Sequence, residues 1–205
     1  MSARYDPDKH SRYSTRLPGY DYAQLGAYFV TVCTQHRECL FGEIVNGKIA
    51  LNEAGKMVKT VWDELPRHYP GTDVDGFVVM PNHIHGIIVL TTVGAGPCAC
   101  PDDRHACQND GRPRGAAPTT MSLMDVVHRF KSLTTARYRR YVVEQNWPPF
   151  FGRLWQRNYY EHIIRDEREL NCIRQYIIDN PMQWEMDHEN PQRQGSDKSE
   201  GWLNV

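Results

Sequence analysis

The sequence predicts an α+β fold, with one antiparallel sheet and helices on one face. Three observations carry that expectation. Short β-branched and aromatic runs alternate with segments whose apolar residues recur every third or fourth position; these are the periods of strand and helix. An Asn46-Gly47 pair separates two short apolar runs, the composition of a tight antiparallel turn. A chain of 205 residues, 40% of them hydrophobic, is sufficient for one core.

Residues 1–18 are polar and read as an N-terminal arm. Tyr28-Phe29-Val30-Thr31-Val32-Cys33-Thr34 has the make-up of a central strand. Runs at 39–45 and 48–51 flank the Asn46-Gly47 turn. Asn52 is placed to cap a helix over 52–65, with Ala54, Val58, Val61, Trp62 and Leu65 on one stripe and Pro66 and Pro70 ending it. Strands are expected over 74–80 and 83–90, broken at Pro81-Asn82. The stretch 91–120 is rich in Gly, Pro, Cys and Asp and has no period, which predicts a functional or flexible insertion. It holds Cys98, Cys100, His105 and Cys107 in a spacing that fits no common zinc finger. Ser122 opens a helix whose apolar face is Leu123, Val126, Val127, Phe130 and Leu133. A short strand is expected over 154–160 and a helix over 161–180, interrupted near Arg165-Asp166 and stopped by Pro181. Residues 185–205 read as a tail, which leaves 19–184 as the domain.

The formal net charge is −1, so no global field drives the chain onto nucleic acid. Charge is unevenly spread, however. Between Arg112 and Arg140 seven Arg and Lys side chains face a single acid, Asp125, whereas 185–200 is acidic. This asymmetry predicts a basic working face. No stretch of about 18 apolar residues occurs, so no membrane span is expected. The polar start of the chain has no signal-peptide core, which predicts a cytoplasmic location and reduced cysteines. Cys33, Cys39 and Cys172 fall in patterned segments and read as small buried hydrophobes.

The segment Met80-Pro81-Asn82-His83-Ile84-His85-Gly86 carries the chemistry. On a strand His83 and His85 point the same way and Ile84 turns into the core. Two imidazoles side by side begin a metal site. In the last helix Tyr176 and Asn180 lie four residues apart and share a face. The Asn180 carboxamide oxygen would complete a shell suited to Mg²⁺ or Mn²⁺, and such an ion would polarise a phosphate for attack by Tyr176. Tyr159 and Tyr160 are rival nucleophiles, of which at most one can face the site, and His162 is a further metal candidate. Lys131 and its basic neighbours suit phosphate contact as well as they suit a solvated helix face.

These residues resemble a known family. His83-Ile84-His85 matches the histidine–hydrophobe–histidine motif of HUH endonucleases, and Tyr176-x-x-x-Asn180-Pro181 resembles the catalytic helix of the REP-associated tyrosine transposases. Similar to that family too are Leu17-Pro18-Gly19-Tyr20-Asp21-Tyr22, Tyr28-Phe29-Val30-Thr31 and Trp155-Gln156-Arg157-Asn158-Tyr159-Tyr160-Glu161-His162, so that the likeness runs from Ser11 to Trp184. The resemblance implies a ferredoxin-like sheet with a catalytic tyrosine on a C-terminal helix. It implies a nuclease and strand transferase acting on single-stranded DNA at REP-like palindromic hairpins, with Tyr176 as the nucleophile of a 5′-phosphotyrosine intermediate. His83, His85 and Asn180 would hold a divalent metal, Mg²⁺ or Mn²⁺. Arg12, Arg16, Arg129, Lys131 and Arg157 are the candidate DNA contacts, and a monomer is expected ahead of a swapped dimer. The alternative is a domesticated relative that grips palindromic DNA without cutting it.

Overall fold

The computed structural model describes Leu17, residues 19–92 and residues 121–193. The expected arm with Arg12 and Arg16, and the cysteines of the expected insertion, lie outside them. The elements are β1 (Gly26–Cys33), β2 (Gly42–Val45), β3 (Lys48–Leu51), α1 (Glu53–His68), β4 (Thr72–Val79), β5 (His83–Leu90), α2 (Leu123–Gln145), β6 (Tyr160–Ile164) and α3 (Glu167–Asp179), followed by a 3-10 stretch from Asn180 to Met186. Four strands form an antiparallel sheet in the order β4-β5-β1-β6, and β2 and β3 form a separate hairpin. Without that hairpin the succession is β-α-β-β-α-β, the ferredoxin-like order.

Local chemistry accounts for the elements. Asn46 and Gly47 both take positive φ, 51° and 72°, so the β2–β3 turn is the kind that follows strand twist. The Asn52 side chain accepts from Gly55 N at the start of α1, and Ser122 and Asp125 cap α2 reciprocally. Helix α1 continues past Pro66 to His68, whereas an end at 65 was expected. Pro66 removes one hydrogen bond, but Tyr69 N still reaches Leu65 O at 3.0 Å and closes the last turn.

Strand alternation divides the core in two. Tyr28, Val30, Val32, Ile84 and Ile88 pack with α1 and α2. Phe29 and Ile87 turn the other way and pack with Ile164, Ile173 and Ile177. Helices on one face therefore describes α1 and α2, while α3 covers the opposite face. Gly86 lets Trp62 lie against β5: a Cβ there would stand 2.4 Å from the indole ring.

Two expectations near the C-terminal half are corrected. Of the stretch 154–160, Trp155 makes an isolated bridge to Thr34, just past β1, and the regular ladder with β1 starts only at Tyr160, opposite Thr31. β6 runs over Tyr160–Ile164, so residues 161–164, expected in the helix, are strand, and α3 begins after the Asp166 cap, which accepts from Glu169 N. The reason is competition: Trp155 is drawn into the core, where its Nε1 donates to Thr134 Oγ1 at 2.8 Å. Of the three patterned cysteines only Cys33 is buried; Cys39 and Cys172 are exposed.

Candidate metal and tyrosine site

His83 and His85 enter from alternate positions of β5, on one face, opposite Cys33 and Thr31 of β1. Both are buried, and their Nε2 atoms lie 3.0 Å apart. Asn82 fixes the first imidazole. Its Nδ2 donates to the carbonyls of Arg37 (3.1 Å) and Glu189 (2.7 Å), so its Oδ1 is the atom facing His83 Nδ1 at 2.8 Å. An amide oxygen only accepts. His83 therefore carries its proton on Nδ1 and presents a lone pair at Nε2. His85 Nδ1 hydrogen-bonds to Thr31 Oγ1 at 2.8 Å. Because His83 Nε2 carries no proton, the 3.0 Å contact makes His85 Nε2 the donor, and His85 Nδ1 accepts from the Thr31 hydroxyl. A hydroxyl can also accept, so the other tautomer, with Nε2 bare for a metal, keeps the Thr31 bond.

A third candidate ligand, the acid Asp187, was not foreseen. Asp187 is buried, and its Oδ2 lies 3.6 Å from His83 Nε2. His83, His85 and Asp187 form the one cluster of metal-ligating type among the described residues, with donor atoms within 4.8 Å of one another. The His83–Asp187 contact is not an ion pair. Burial, then the His85 and Arg37 charges, holds His83 well below the ordinary histidine range, and burial pushes Asp187 up. Burial likewise takes His85 down to about 3. Two neutral imidazoles and a buried carboxylate whose Oδ2 has no hydrogen-bond partner form a donor set with a deficit of positive charge. The 3.0 Å spacing is that of two neighbouring ligands on an octahedral ion at about 2.1 Å. A divalent metal fits these residues.

Helix α3 brings Tyr176 to the same place. Its hydroxyl lies 3.4 Å from His85 Nε2, and its ring stands edge-on to His85 and Phe29, with centroids 5.2 and 5.9 Å away. Ile173 and Ile177 anchor the helix on the sheet. At β4 the register shifts around Asp75-Gly76, which lets Arg174 grip Asp75 with two bonds, 3.0 and 2.6 Å. Burial, followed by the Asp187 charge, pushes the Tyr176 phenol well up, and a hydrogen bond from Asn180 opposes them. Asn180 is buried and its Oδ1 has no hydrogen-bond partner. One amide thus serves the phenol and leaves an unsatisfied oxygen beside it.

A cavity of about 380 Å³ opens on the group, lined by Thr31, His85, Tyr160, Tyr176, Asp187 and Glu189 among others. Tyr160 is the rival tyrosine that faces it; Tyr159 lies instead beneath Lys131, on the α2 side. His162 does not join the cluster, because its Nε2 bonds to Glu169 Oε1 at 2.6 Å.

Residues 185–193 are not a loose tail. Asp187 is buried, Glu189 O is held by Asn82, and the Glu189 carboxylate pairs with Arg37 at 2.9 Å. Lys131, expected on phosphate, is turned inward: its Nζ donates to the carbonyls of Gln156, Arg157 and Asn158 at 3.1 to 3.4 Å. Arg129 is exposed and lies over the Tyr69 ring at 5.3 Å. Arg157 is exposed on a second groove. Asp187 had no signal in the sequence beyond being an acid after the last helix. Its placement depends on a contact across 107 positions, from Asn82 to Glu189.

No protein-family model matches the chain. An uncharacterized protein of Haemophilus influenzae is 40% identical over 187 residues, which span 91% of this chain and 97% of that protein. A solved structure of a REP-associated tyrosine transposase bound to a REP hairpin overlaps 82% of this chain and 73% of its own, with 19% identity and a TM-score of 0.49. The structure of a candidate transposase from Deinococcus radiodurans overlaps 81% and 96%, with 19% identity and a TM-score of 0.43. Neither structure is close enough to transfer an activity.

Proposed function

This chain belongs to one family with the uncharacterized Haemophilus influenzae protein, and we propose that it is a metal-dependent endonuclease and strand transferase acting on single-stranded, hairpin-forming DNA through a 5′-phosphotyrosine on Tyr176. The observation that carries the reading is the 3.4 Å approach of the Tyr176 hydroxyl to His85 Nε2 within a single chain. It is supported by the resemblance of the histidine pair, the Tyr-x-x-x-Asn helix and the segments between them to the REP-associated tyrosine transposases.

His83, His85 and Asp187, with the Asn180 oxygen as a further candidate, would hold Mg²⁺ or Mn²⁺. The ion would supply the positive charge that polarises a scissile phosphate. The remaining work falls to the chain. Tyr176 is held by Phe29, Ile173 and Ile177 so that its hydroxyl reaches His85 Nε2 while its ring packs edge-on against the same imidazole. Burial makes its proton hard to lose, so attack waits on the positive charge of a loaded site, and this suppresses reaction in its absence. In the transfer the phenolic oxygen bonds to phosphorus as the bond to the 3′ oxygen breaks. The phenol gives up a proton to a base and the leaving 3′ oxygen gains one. One phosphoester replaces another, so joining needs no external energy. The docking of α3 on its own sheet through Arg174 and Asp75 supports a monomer in which one chain supplies both the histidines and the tyrosine.

Incubation with single-stranded DNA carrying REP-type palindromic hairpins, with Mg²⁺ or Mn²⁺, tests this directly. Mass spectrometry should find a DNA adduct on the Tyr176 peptide. Cut ends without any adduct would point to water as the nucleophile. Hairpin binding without cutting would favour the non-cleaving reading.

A further inference from the structure

The basic surface expected on α2 is used to build a neighbouring groove. Besides Lys131, Arg139 Nη2 donates to Gly152 O at 3.4 Å, so both cations hold the backbone of one loop. The loop is also stitched to the end of β1: Gln35 N donates to Leu154 O and Gln156 N to Cys33 O, both at 2.9 Å. Between loop and strand end lies a cavity of about 660 Å³, lined by Gln35, Phe151, Arg153, Gln156, Arg157 and Asn158 among others, with no acidic side chain among its described lining residues. Phe151 is 87% exposed. A large aromatic left in water on a tethered loop, flanked by two exposed guanidiniums and three amides, has the composition of a platform for an unpaired base and its phosphates. The groove sits at the end of β1 where Cys33 pairs with His83, beside the histidine site.

We propose that this groove binds single-stranded DNA, with Phe151 stacking on an unpaired base and Arg153 and Arg157 meeting the backbone phosphates. The proposal rests on the DNA-processing reading for the class of polymer, and it adds a place where the strand is held outside the histidine site.

The test is fluorescence anisotropy of a labelled oligothymidylate with the full chain in EDTA, as a function of salt. Phe151→Ala should weaken binding about tenfold with the salt slope unchanged, since stacking is not ionic. The double variant Arg153→Gln/Arg157→Gln should lower the slope by about 1.4, as two lost contacts to a single strand would. All three side chains are exposed, so thermal unfolding of the variants should match the parent. Wild-type affinity and slope in both variants would overturn the proposal. So would displacement by duplex DNA as effectively as by single strand, or better displacement by oligouridylate. A separate assay for the covalent adduct keeps the two readings apart. Groove-dependent binding without an adduct removes the nuclease and leaves the groove, and an adduct with no effect of either variant on binding removes the groove alone.

Discussion

Asn82 and His83 are bound side chain to side chain, Oδ1 to Nδ1 at 2.8 Å, while the Asn82 amide nitrogen holds the carbonyls of Arg37 and Glu189. One fully buried amide therefore sets the tautomer of a candidate metal ligand and pins the segment that carries another, Asp187.

Asn82→Asp keeps the size but loses both donors. Mn²⁺ affinity, read by calorimetry, should fall by about 10–100-fold, the usual cost of losing an orienting partner. Two partly buried carbonyls lose their donor, so the melting temperature should fall as well, by an amount matching about 1 kcal/mol. Unchanged Mn²⁺ affinity would show that His83 is not a ligand or needs no orientation.

Asp187→Asn separates metal binding from stability. Burial raises the Asp187 pKa, so the folded state disfavours its charge, and stability falls as pH rises through the range in which the carboxyl ionises. At neutral pH the amide should make the metal-free protein melt higher. In excess Mn²⁺ the order should reverse, because a charged ligand has been lost. Equal melting temperatures with and without metal in both forms would remove Asp187 from the site.

Tyr176→Phe should abolish the covalent protein–DNA band on a denaturing gel and leave hairpin binding within about twofold, since a phenyl ring keeps the packing. Tyr160→Phe should keep the band, although Tyr160 lines the same cavity. A band that survives the first change and vanishes with the second would exchange the two assignments. EDTA should remove the band from the parent.

The docking of α3 should weaken in acid. The bidentate hydrogen bond from Arg174 holds the Asp75 carboxyl below its ordinary value. Its contribution is thus present above the unfolded pKa of about 4 and is lost as pH falls through the lower folded value. The pair is partly exposed, so solvent screening keeps its contribution small. Amide exchange in α3, compared with α1, should accelerate on acidification, and Asp75→Asn should show the faster exchange already at neutral pH. Equal protection of α3 in the variant at neutral pH would show that apolar packing alone seats the helix.

Much of the fold could be read from residue patterns. The stripe of α1, the Asn46-Gly47 turn and the run 83–90 each express one local period, and such periods survive into structure because the backbone enforces them. His83 and His85 were legible for the same reason. The stretch 154–164 misled because Trp155 and Tyr160 suit a strand equally well, and only the pull of the core on Trp155, with its bond to Thr134, separates them. Lys131 was legible as a cation but not as a tether, since its partners are backbone carbonyls, which all residues share.

By itself the sequence determined the alternation that aims two histidines together and the helical spacing that stacks Asn180 one turn from Tyr176. Tertiary structure alone decided that α3 crosses to the face opposite α1 and α2, that its tyrosine meets the histidines of its own chain, and that Asp187 joins them. The physical reason is range. Strand and helix periods act over two to four residues, whereas Arg174 finds Asp75 across 99 positions and Asn82 finds Glu189 across 107. Only the closed fold brings such partners within a hydrogen bond.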